Sequence, residues 1–426
     1  MAPLDLVLEQ RPEEGLSLDE SLRNALQDRA ARGNVRRIHL LALDSEIIHS
    51  ILSSLAGSEE LRYSSVQSIV VQDKSEKTLI NIPNLFSCRF PRLQHLKLGG
   101  CVILLWDHII PQTSTLTTLF LNLIYPTPLP TMSQLLSFLG SNPALQEISL
   151  LGCTVPDGGG DMSSVPVPLR HLRDFELEGS PQQVFGLLYQ LDLPGDMDRF
   201  AMHLSYCTLE DIPETIGPSL RDCLQRREMS QRGLGLYLSS SRGFIELRVS
   251  DVCSDFSASE LVQMEKFVVI TIGLEQVPLN GPSKQQVLDL IPHTFREEIV
   301  YFRVNGDPVV MVDLSAQLPC LRTLHIEWTF IHLAFPEPTP GTDVEIYPSL
   351  QHLVLGPVVG NDWRPLMTFL ARRASYGNQL DTVVTSALYY PLLDDEEDIK
   401  EDIKKVVGEF GVLNIPPFQP AFRNSQ

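Results

Sequence analysis

Two pairs of residues in this sequence have a spacing that metal sites use. His203 and Cys207 are four residues apart, and His325 and His332 are seven apart. A tetrahedral zinc site needs four ligands, and neither pair has a second histidine or cysteine pair close to it in the sequence. We therefore interpret these side chains as structural, and we predict no bound metal and no cofactor.

An acidic run and a glycine run are the other candidates for ion binding. Residues 394–398 are all acidic, but they lack the spaced ligands and the turn glycine of a calcium-binding loop. Residues 158–160 are all glycine, but no Lys-Ser/Thr follows them, as a phosphate-binding loop requires. We interpret the first run as the charged start of a helix, which the helix dipole favours, and the second as a loop insertion.

Common catalytic motifs do not occur in this sequence. It contains no Gly-x-Ser-x-Gly, His-Glu-x-x-His, Gly-x-x-x-x-Gly-Lys or Cys-x-x-Cys. No nucleophile or general base is therefore named by its pattern, and we predict that the chain is not an enzyme. An uncharacterised enzyme remains a third alternative, whose sign would be a deep pocket with converging titratable side chains.

The elements that position polar residues follow from a recurring sequence, which we call the repeat phrase. It has leucine, isoleucine or phenylalanine at positions one, four and six, and it begins at Leu93, Leu116, Leu145, Leu172, Leu321 and Leu350. Positions four and six alternate with other residues, as on one face of a β-strand. Neighbouring phrases within residues 93–177 and 321–355 are 23 to 29 residues apart, and this spacing is typical of leucine-rich repeats.

Amphipathic helices are predicted between these strands. Capping boxes, in which Glu or Gln follows a Ser or Thr by three residues, mark helix starts at Ser17, Thr131, Ser180 and Ser283, and Asp362 precedes a further helix. Strands that alternate with helices form parallel sheets with right-handed crossovers. One repeat buries too little surface to fold alone, so neighbouring repeats must stack to share a core.

We therefore predict an α/β fold, a curved leucine-rich-repeat solenoid with parallel strands on its concave face and helices on its convex face. A single solenoid is expected over residues 1–426. It is irregular in the middle, over residues 229–310, with a hairpin around residues 239–243. Residues 394–426 are expected to form a C-terminal capping helix and tail, with Ile399, Ile403, Val406, Val407 and Phe410 on one side of the helix.

The residues between the buried positions of each phrase are the candidate partner-binding strip. They are expected to face the concave surface, with an acidic middle that also includes Glu178, flanked by histidines and aromatic residues. The alternative is a solvated strand face that is acidic only because the whole chain is acidic. The predicted strip comprises His95, Lys97, Thr118, Phe120, Glu147, Ser149, Asp174, Glu176, His325, Trp328 and His352.

The phrases resemble the repeat region of fungal F-box/leucine-rich-repeat proteins. The resemblance lies in residues 90–98 with the following Gly-Gly-Cys, in 142–150 with Leu-Gly-Cys, and in 347–355 followed by Trp363. In that family the F-box docks on a Skp1-type adaptor, and the repeats hold a substrate for a cullin-type ubiquitin ligase. No F-box pattern precedes Leu4, so the resemblance implies a Skp1-type adaptor only if an F-box lies upstream.

Charge and composition restrict the other partners. The 426 residues include 33 Lys and Arg against 53 Asp and Glu, a net charge of -20, which repels phosphate backbones and anionic membranes. We predict no nucleic-acid and no membrane partner. The longest apolar run, over residues 267–274, is too short to span a bilayer. The N-terminus lacks a signal-peptide pattern and the seven cysteines are scattered, so an intracellular location, cytoplasmic or nuclear, is expected.

The function predicted from these features is that of a protein–protein interaction module. It resembles the substrate-recognition repeats of an F-box protein. A passive repeat scaffold, or a degenerate family copy without a ubiquitin-ligase role, remains the alternative.

Overall fold

A computed structural model describes the chain as two compact units. The first unit comprises residues 1–207 with 225–228, and the second comprises residues 208–224 with 229–426. The prediction of one solenoid over the whole chain stays a prediction. The described residues are 4–9, 35–43, 47–48, 51, 65–73, 78–80, 90–103, 115–123, 130–152, 155–156, 165–208, 210–219, 234–241, 244–251, 267–274, 296–297, 299–306, 318–326, 335, 347–356, 358–359, 363–385, 388–389 and 396–412.

The main sheet of the first unit is parallel, and its strands are neighbours in the order of the sequence. The described strands are β1 (Leu4–Glu9), β2 (Val35–Leu43), β3 (Ser68–Asp73), β4 (Thr78–Ile80), β5 (His95–Ile103), β6 (Thr118–Leu123), β7 (Glu147–Gly152), β8 (Val167–Pro168), β9 (Asp174–Gly179), β10 (Leu191–Asp192) and β11 (Arg199–Cys207). The order across the sheet is β1, β2, β3, β5, β6, β7, β9 and β11, and β4 pairs with the end of β5. β8 and β10 form a separate parallel pair.

The second unit also has a long sheet, but its first strands are antiparallel. The described strands are β12 (Leu234–Ser241), β13 (Phe244–Asp251), β14 (Phe267–Leu274), β15 (Ile299–Gly306), β16 (Thr323–Ile326), β17 (His352–Leu355), β18 (Val358–Val359), β19 (Leu380–Thr385), β20 (Leu388–Tyr389) and β21 (Val407–Val412). β14, β13 and β12 pair antiparallel, whereas β12, β15, β16, β17, β19 and β21 pair parallel in that order. β18 pairs with β20.

The repeat phrase predicts the core positions of both units. Every residue at positions one, four and six of the six phrases is at most 2% exposed. Each leucine buried in this way contributes roughly 1.5–3 kcal/mol of transfer free energy. The fold class is thus confirmed as α/β with long parallel sheets of sequentially adjacent strands.

A tight turn recurs in front of the phrases. The backbone N–H at position one donates to the carbonyl oxygen three residues earlier, as from Leu93 to Phe90 at 3.1 Å and from Leu145 to Asn142 at 3.2 Å. Proline at the second turn position suits this geometry because its φ is already fixed. The first residue of each turn is buried, which the phrase alone did not predict; these residues are Phe90, Asn142, Leu169, Leu318 and Tyr347.

The predicted capping boxes at Thr131 and Ser180 are confirmed. They begin α1 (Met132–Ser141) and α2 (Pro181–Leu188), and in each the Gln three residues later returns a side-chain bond to the cap. The helix expected after Asp362 is α3 (Trp363–Ser375). The helices expected at Ser17 and Ser283 lie outside the described residues, and a short π-helical segment spans Ile212–Ile216.

A buried arginine joins α3 to the turn before β17. Arg373 is 4% exposed, and its guanidinium donates to the carbonyl oxygens of Asn378 at 3.0 Å, Leu350 at 2.8 Å and Tyr347. A buried charge is tolerated only when it is hydrogen-bonded in this way. Arg373 therefore finds acceptors for its buried guanidinium on the turn before β17 and at Asn378, and so ties α3 to that turn.

The C-terminal helix is shorter than expected. α4 (Glu396–Val406) buries Ile403, but Val407 and Phe410 lie in β21, which pairs with β19. The prediction that these two residues continue the helical face is wrong. Gly408 and Gly411 disfavour a helix here, and the edge of β19 supplies backbone hydrogen bonds to a strand.

Candidate functional site

Eight of the predicted strip residues lie on one face of the first unit's sheet. Parallel registers align His95, Thr118, Glu147 and Asp174 in one row and Lys97, Phe120, Ser149 and Glu176 in the next. The residues between them point into the core, because side chains alternate along a strand. Together with their neighbours on β2, β3 and β11, these two rows form what we call the polar face.

Hydrogen bonds cross the strands along the first row. The Thr118 hydroxyl donates to Glu147 Oε2 at 3.3 Å and lies 3.1 Å from His95 Nδ1. A hydroxyl has a single hydrogen. Because Thr118 gives its hydrogen to Glu147, it accepts from His95, and this bond assigns the proton to His95 Nδ1. A similar pair occurs on β2 and β3, where His39 Nε2 lies 2.9 Å from the Ser68 hydroxyl oxygen.

Glu176 is the most highly connected carboxylate of the polar face. Its Oε2 accepts from the Ser149 hydroxyl at 3.1 Å, and its Oε1 accepts from Arg199 at 3.0 Å and from His203 Nε2 at 3.2 Å. Burial alone would raise the pKa of Glu176. The hydrogen bonds from His203 and Ser149 and the charge of Arg199 outweigh burial and lower this pKa to about 2. Glu176 therefore joins β7, β9 and β11 as an anion.

The sequence did not indicate Arg199 as a hydrogen-bond donor to Glu176, and it suggested His203 only as a possible metal ligand. Arg199 and His203 alternate with the buried Phe200, Met202 and Leu204, and Ala201 lies between them on the same side of the strand. That alternation is the signal that places Arg199 and His203 on the same face as Glu176. It became usable once the register of β11 against β9 was known.

Like charges are grouped at each end of the polar face. The pKa of Asp174 is raised by partial burial and by the carboxylates of Glu147 and Asp198. At the other end, partial burial lowers the pKa of His95, and the charges of Lys97 and Arg37 add to this effect against the opposing charge of Glu147. Arg199 on β11 lies beside Asp174 and acts to lower its pKa, but it is bound to Glu176, so Glu147 and Asp174 leave their end of the face net anionic. The other end is net cationic.

The residues whose spacing resembles that of metal ligands do not form a metal site in the described part of the chain. His203 is directed to Glu176, whereas Cys207 is fully buried, with its Sγ 3.7 Å from the Ser205 carbonyl oxygen. No group of three or more histidine, cysteine or acidic side chains among the described residues is arranged to hold a metal ion. His332, residues 158–160 and the first two residues of the acidic run lie outside the described residues.

The second unit holds the remaining strip residues in a different environment. His325 is only 5% exposed, and its Nδ1 lies 3.3 Å from the hydroxyl of the equally buried Tyr301. Burial, with a smaller effect from Arg303, lowers the pKa of His325 to about 3, so it is neutral. His352 is half-buried and lies 2.8 Å from the Thr382 hydroxyl through its Nδ1. Trp328 lies outside the described residues.

Comparison with known proteins gives no family to which the chain can be assigned. No family model and no curated protein matches the sequence. None of the described helices has the length and apolar character needed to cross a membrane. The resemblance to F-box/leucine-rich-repeat proteins therefore stays an expectation from the repeat phrases.

Proposed function

We propose that this chain is a protein–protein interaction module that binds its partner on the polar face. In this proposal the repeats form a curved leucine-rich-repeat solenoid, with the strands on the concave face and the helices on the convex face. The resemblance extends the proposal to the substrate-recognition repeats of a cullin-type ubiquitin ligase. A Skp1-type adaptor would then bind through an F-box upstream.

The observation that carries the proposal is the alignment of eight polar and aromatic side chains in two rows of one sheet. The exposed members His95, Lys97 and Glu147 are available to a partner. Glu176 and its three donors hold the rows in place. A surface of this kind, fixed by a rigid sheet, suits protein recognition because little side-chain freedom is lost on binding.

Site-specific photo-crosslinking in cells tests this proposal. A photoreactive amino acid is placed at Lys97 or Glu147 on the polar face, and at the exposed Asp192 of β10 as the control. We expect the same protein to crosslink from both polar-face positions and not from Asp192. Crosslinks that are equally frequent at Asp192, or that are missing from both polar-face positions, would contradict partner binding and favour the passive scaffold.

The ubiquitin-ligase part has its own readout. If it is correct, affinity capture with the full-length protein recovers a Skp1-type adaptor and a cullin, and the crosslinked partner persists longer when the protein is depleted. Recovery of the partner without adaptor or cullin, and with an unchanged lifetime, would leave protein binding as the function and remove the ligase role.

A further inference from the structure

The polar face separates positive from negative charge. Arg37 on β2 and Lys97 on β5 are exposed towards one end of the sheet, whereas Glu147 on β7 and Asp174 on β9 lie towards the other. Arg199 on β11 also lies at that second end, where it is bound to Glu176. Asp5 adds a carboxylate to the cationic end, but Arg36 holds it through two bonds of 3.1 Å and 2.8 Å. Arg37 approaches the same carboxylate at 3.8 Å, so one anion faces two arginines and a net positive charge remains.

The overall charge of the chain does not explain this separation. A net charge of -20 accounts for an excess of carboxylates on any solvated face. It does not account for Glu147 and Asp174 standing side by side on β7 and β9, whereas Lys97 and Arg37 lie two and four strand steps from Glu147. Arg199 on β11 aligns with Asp174, but its guanidinium is bound to Glu176. Like charges on neighbouring strand positions repel, and alternating the two signs would be more favourable for the protein alone. The raised pKa of Asp174 and the lowered pKa of His95 both reflect this repulsion in addition to burial.

The dimensions of the face define what it can hold. Parallel strands lie about 4.8 Å apart, so the five strand steps from Arg37 to Asp174 span roughly 24 Å. An extended peptide rises about 3.3 Å per residue and covers that distance with about seven residues. Phe120 lies between the two ends and is half-buried, so it offers an apolar contact at the centre of such a segment.

From this arrangement we infer that the polar face binds an extended segment of a partner protein that is basic at one end and acidic at the other. The segment crosses the strands, with its basic residues over β7 and β9 and its acidic residues over β2 and β5. This inference rests on the proposed function and specifies the chemistry of the partner. Complementary charges steer such a segment into one orientation.

Two synthetic peptides of identical composition test the inference with the full-length protein. One carries its lysines at one end and its glutamates at the other, with a leucine in the middle; the second alternates the same charges. We expect the first to bind about ten times more tightly by fluorescence anisotropy, since a few exposed charge pairs together supply a tenfold effect. The difference should shrink as salt is raised.

Charge-reversal variants locate the site. Glu147→Lys combined with Asp174→Lys should remove the preference and make a peptide with glutamates at both ends the tighter ligand. Asp192→Lys makes one similar charge change away from the polar face and should keep the original preference. Circular dichroism checks that each variant is folded, and salt dependence on the unmodified protein gives a second measurement if the double variant is not.

Equal binding of the two peptides, or binding of neither at about 1 mM, would overturn the inference. A preference that survives the double reversal in a folded variant would also overturn it. These results would leave the crosslinking test of partner binding untouched. Failure of that test, in contrast, would remove the proposed function itself.

Discussion

The two units use the same repeat phrase, but they differ in the environment of the polar positions within it. In the first unit Lys97 and Glu147 are exposed, whereas in the second unit His325, at the position equivalent to Lys97, is buried against Tyr301. The phrase predicts the core side of a strand equally well in both units. It does not predict whether the opposite side faces solvent, because that depends on residues distant in the sequence.

Substitutions at core positions should cause the largest loss of stability, and they test the strand faces that the two units share. Leu96→Asp in the first unit and Leu324→Asp in the second should each cost at least about 4 kcal/mol, because each places a carboxylate in a dry core. Both residues are at most 1% exposed. Urea denaturation followed by circular dichroism measures the loss. The control Lys97→Ser should change stability by less than about 0.5 kcal/mol, and similar losses for all three variants would contradict the assigned strand faces.

Arg373 tests a feature of the second unit that is not visible in the phrase. Arg373→Met should lower the free energy of unfolding by about 3 kcal/mol, since it removes three hydrogen bonds donated by a buried cation, two of them to the turn before β17. Arg364→Met, at an exposed position of the same helix, removes the same charge and should have little effect. Thermal denaturation of the two variants gives the comparison. An equal decrease would show that charge, and not the bonds to the turn, matters.

The burial of His325 predicts a pH dependence. An unfolded histidine binds a proton below about pH 6.5, whereas the pKa of His325 in the fold is about 3. Between these values the unfolded state binds more protons, so stability falls as the pH drops.

From pH 7 to pH 5 this effect should cost about 2 kcal/mol. Urea denaturation at the two pH values measures it, and His325→Asn should reduce the loss. His171→Gln, in an exposed turn of the first unit, should keep the original loss. If His325→Asn leaves the pH dependence unchanged, the buried neutral state of His325 is wrong.

From the hydrogen bonds of Glu176 we expect a smaller loss of stability in the first unit. Glu176→Gln should cost about 1–2 kcal/mol at pH 7, after allowance for solvent screening of a partly exposed group. The folded-state pKa of Glu176 lies below that of the unfolded carboxyl. The stabilisation that the ionised Glu176 provides is therefore complete above about pH 4.5, and it is lost as the pH falls towards 2.

Denaturation at pH 7 and pH 3 checks this prediction, and the difference between the variant and the unmodified protein should shrink at the lower pH. Glu147→Gln is the matched control, because Glu147 is exposed and accepts one bond from Thr118. A Glu147→Gln loss as large as that of Glu176→Gln would argue against a special role for Glu176.

The repeat phrase made much of the fold predictable. Leucines at fixed positions placed the strands, and the Thr131 and Ser180 caps placed two helices, because caps and alternating strands depend on nearby residues. The bonds of Glu176 to Arg199 and His203 were not predictable, since they depend on the register between β9 and β11. The strand β21 was missed for a similar reason: its apolar residues also fit a helix, and β19 supplies its hydrogen bonds.

In the candidate site, too, some features follow from the local sequence and others only from tertiary contacts. The sequence by itself determined that His95, Lys97, Glu147 and Asp174 lie opposite the core leucines, because neighbouring side chains on a strand point to opposite faces. Only the tertiary structure decided that Glu147 and Asp174 meet towards one end of the face and Arg37 and Lys97 towards the other, and that His325 is buried. Strand neighbours and burial arise from residues far apart in the chain, and no local pattern records those contacts.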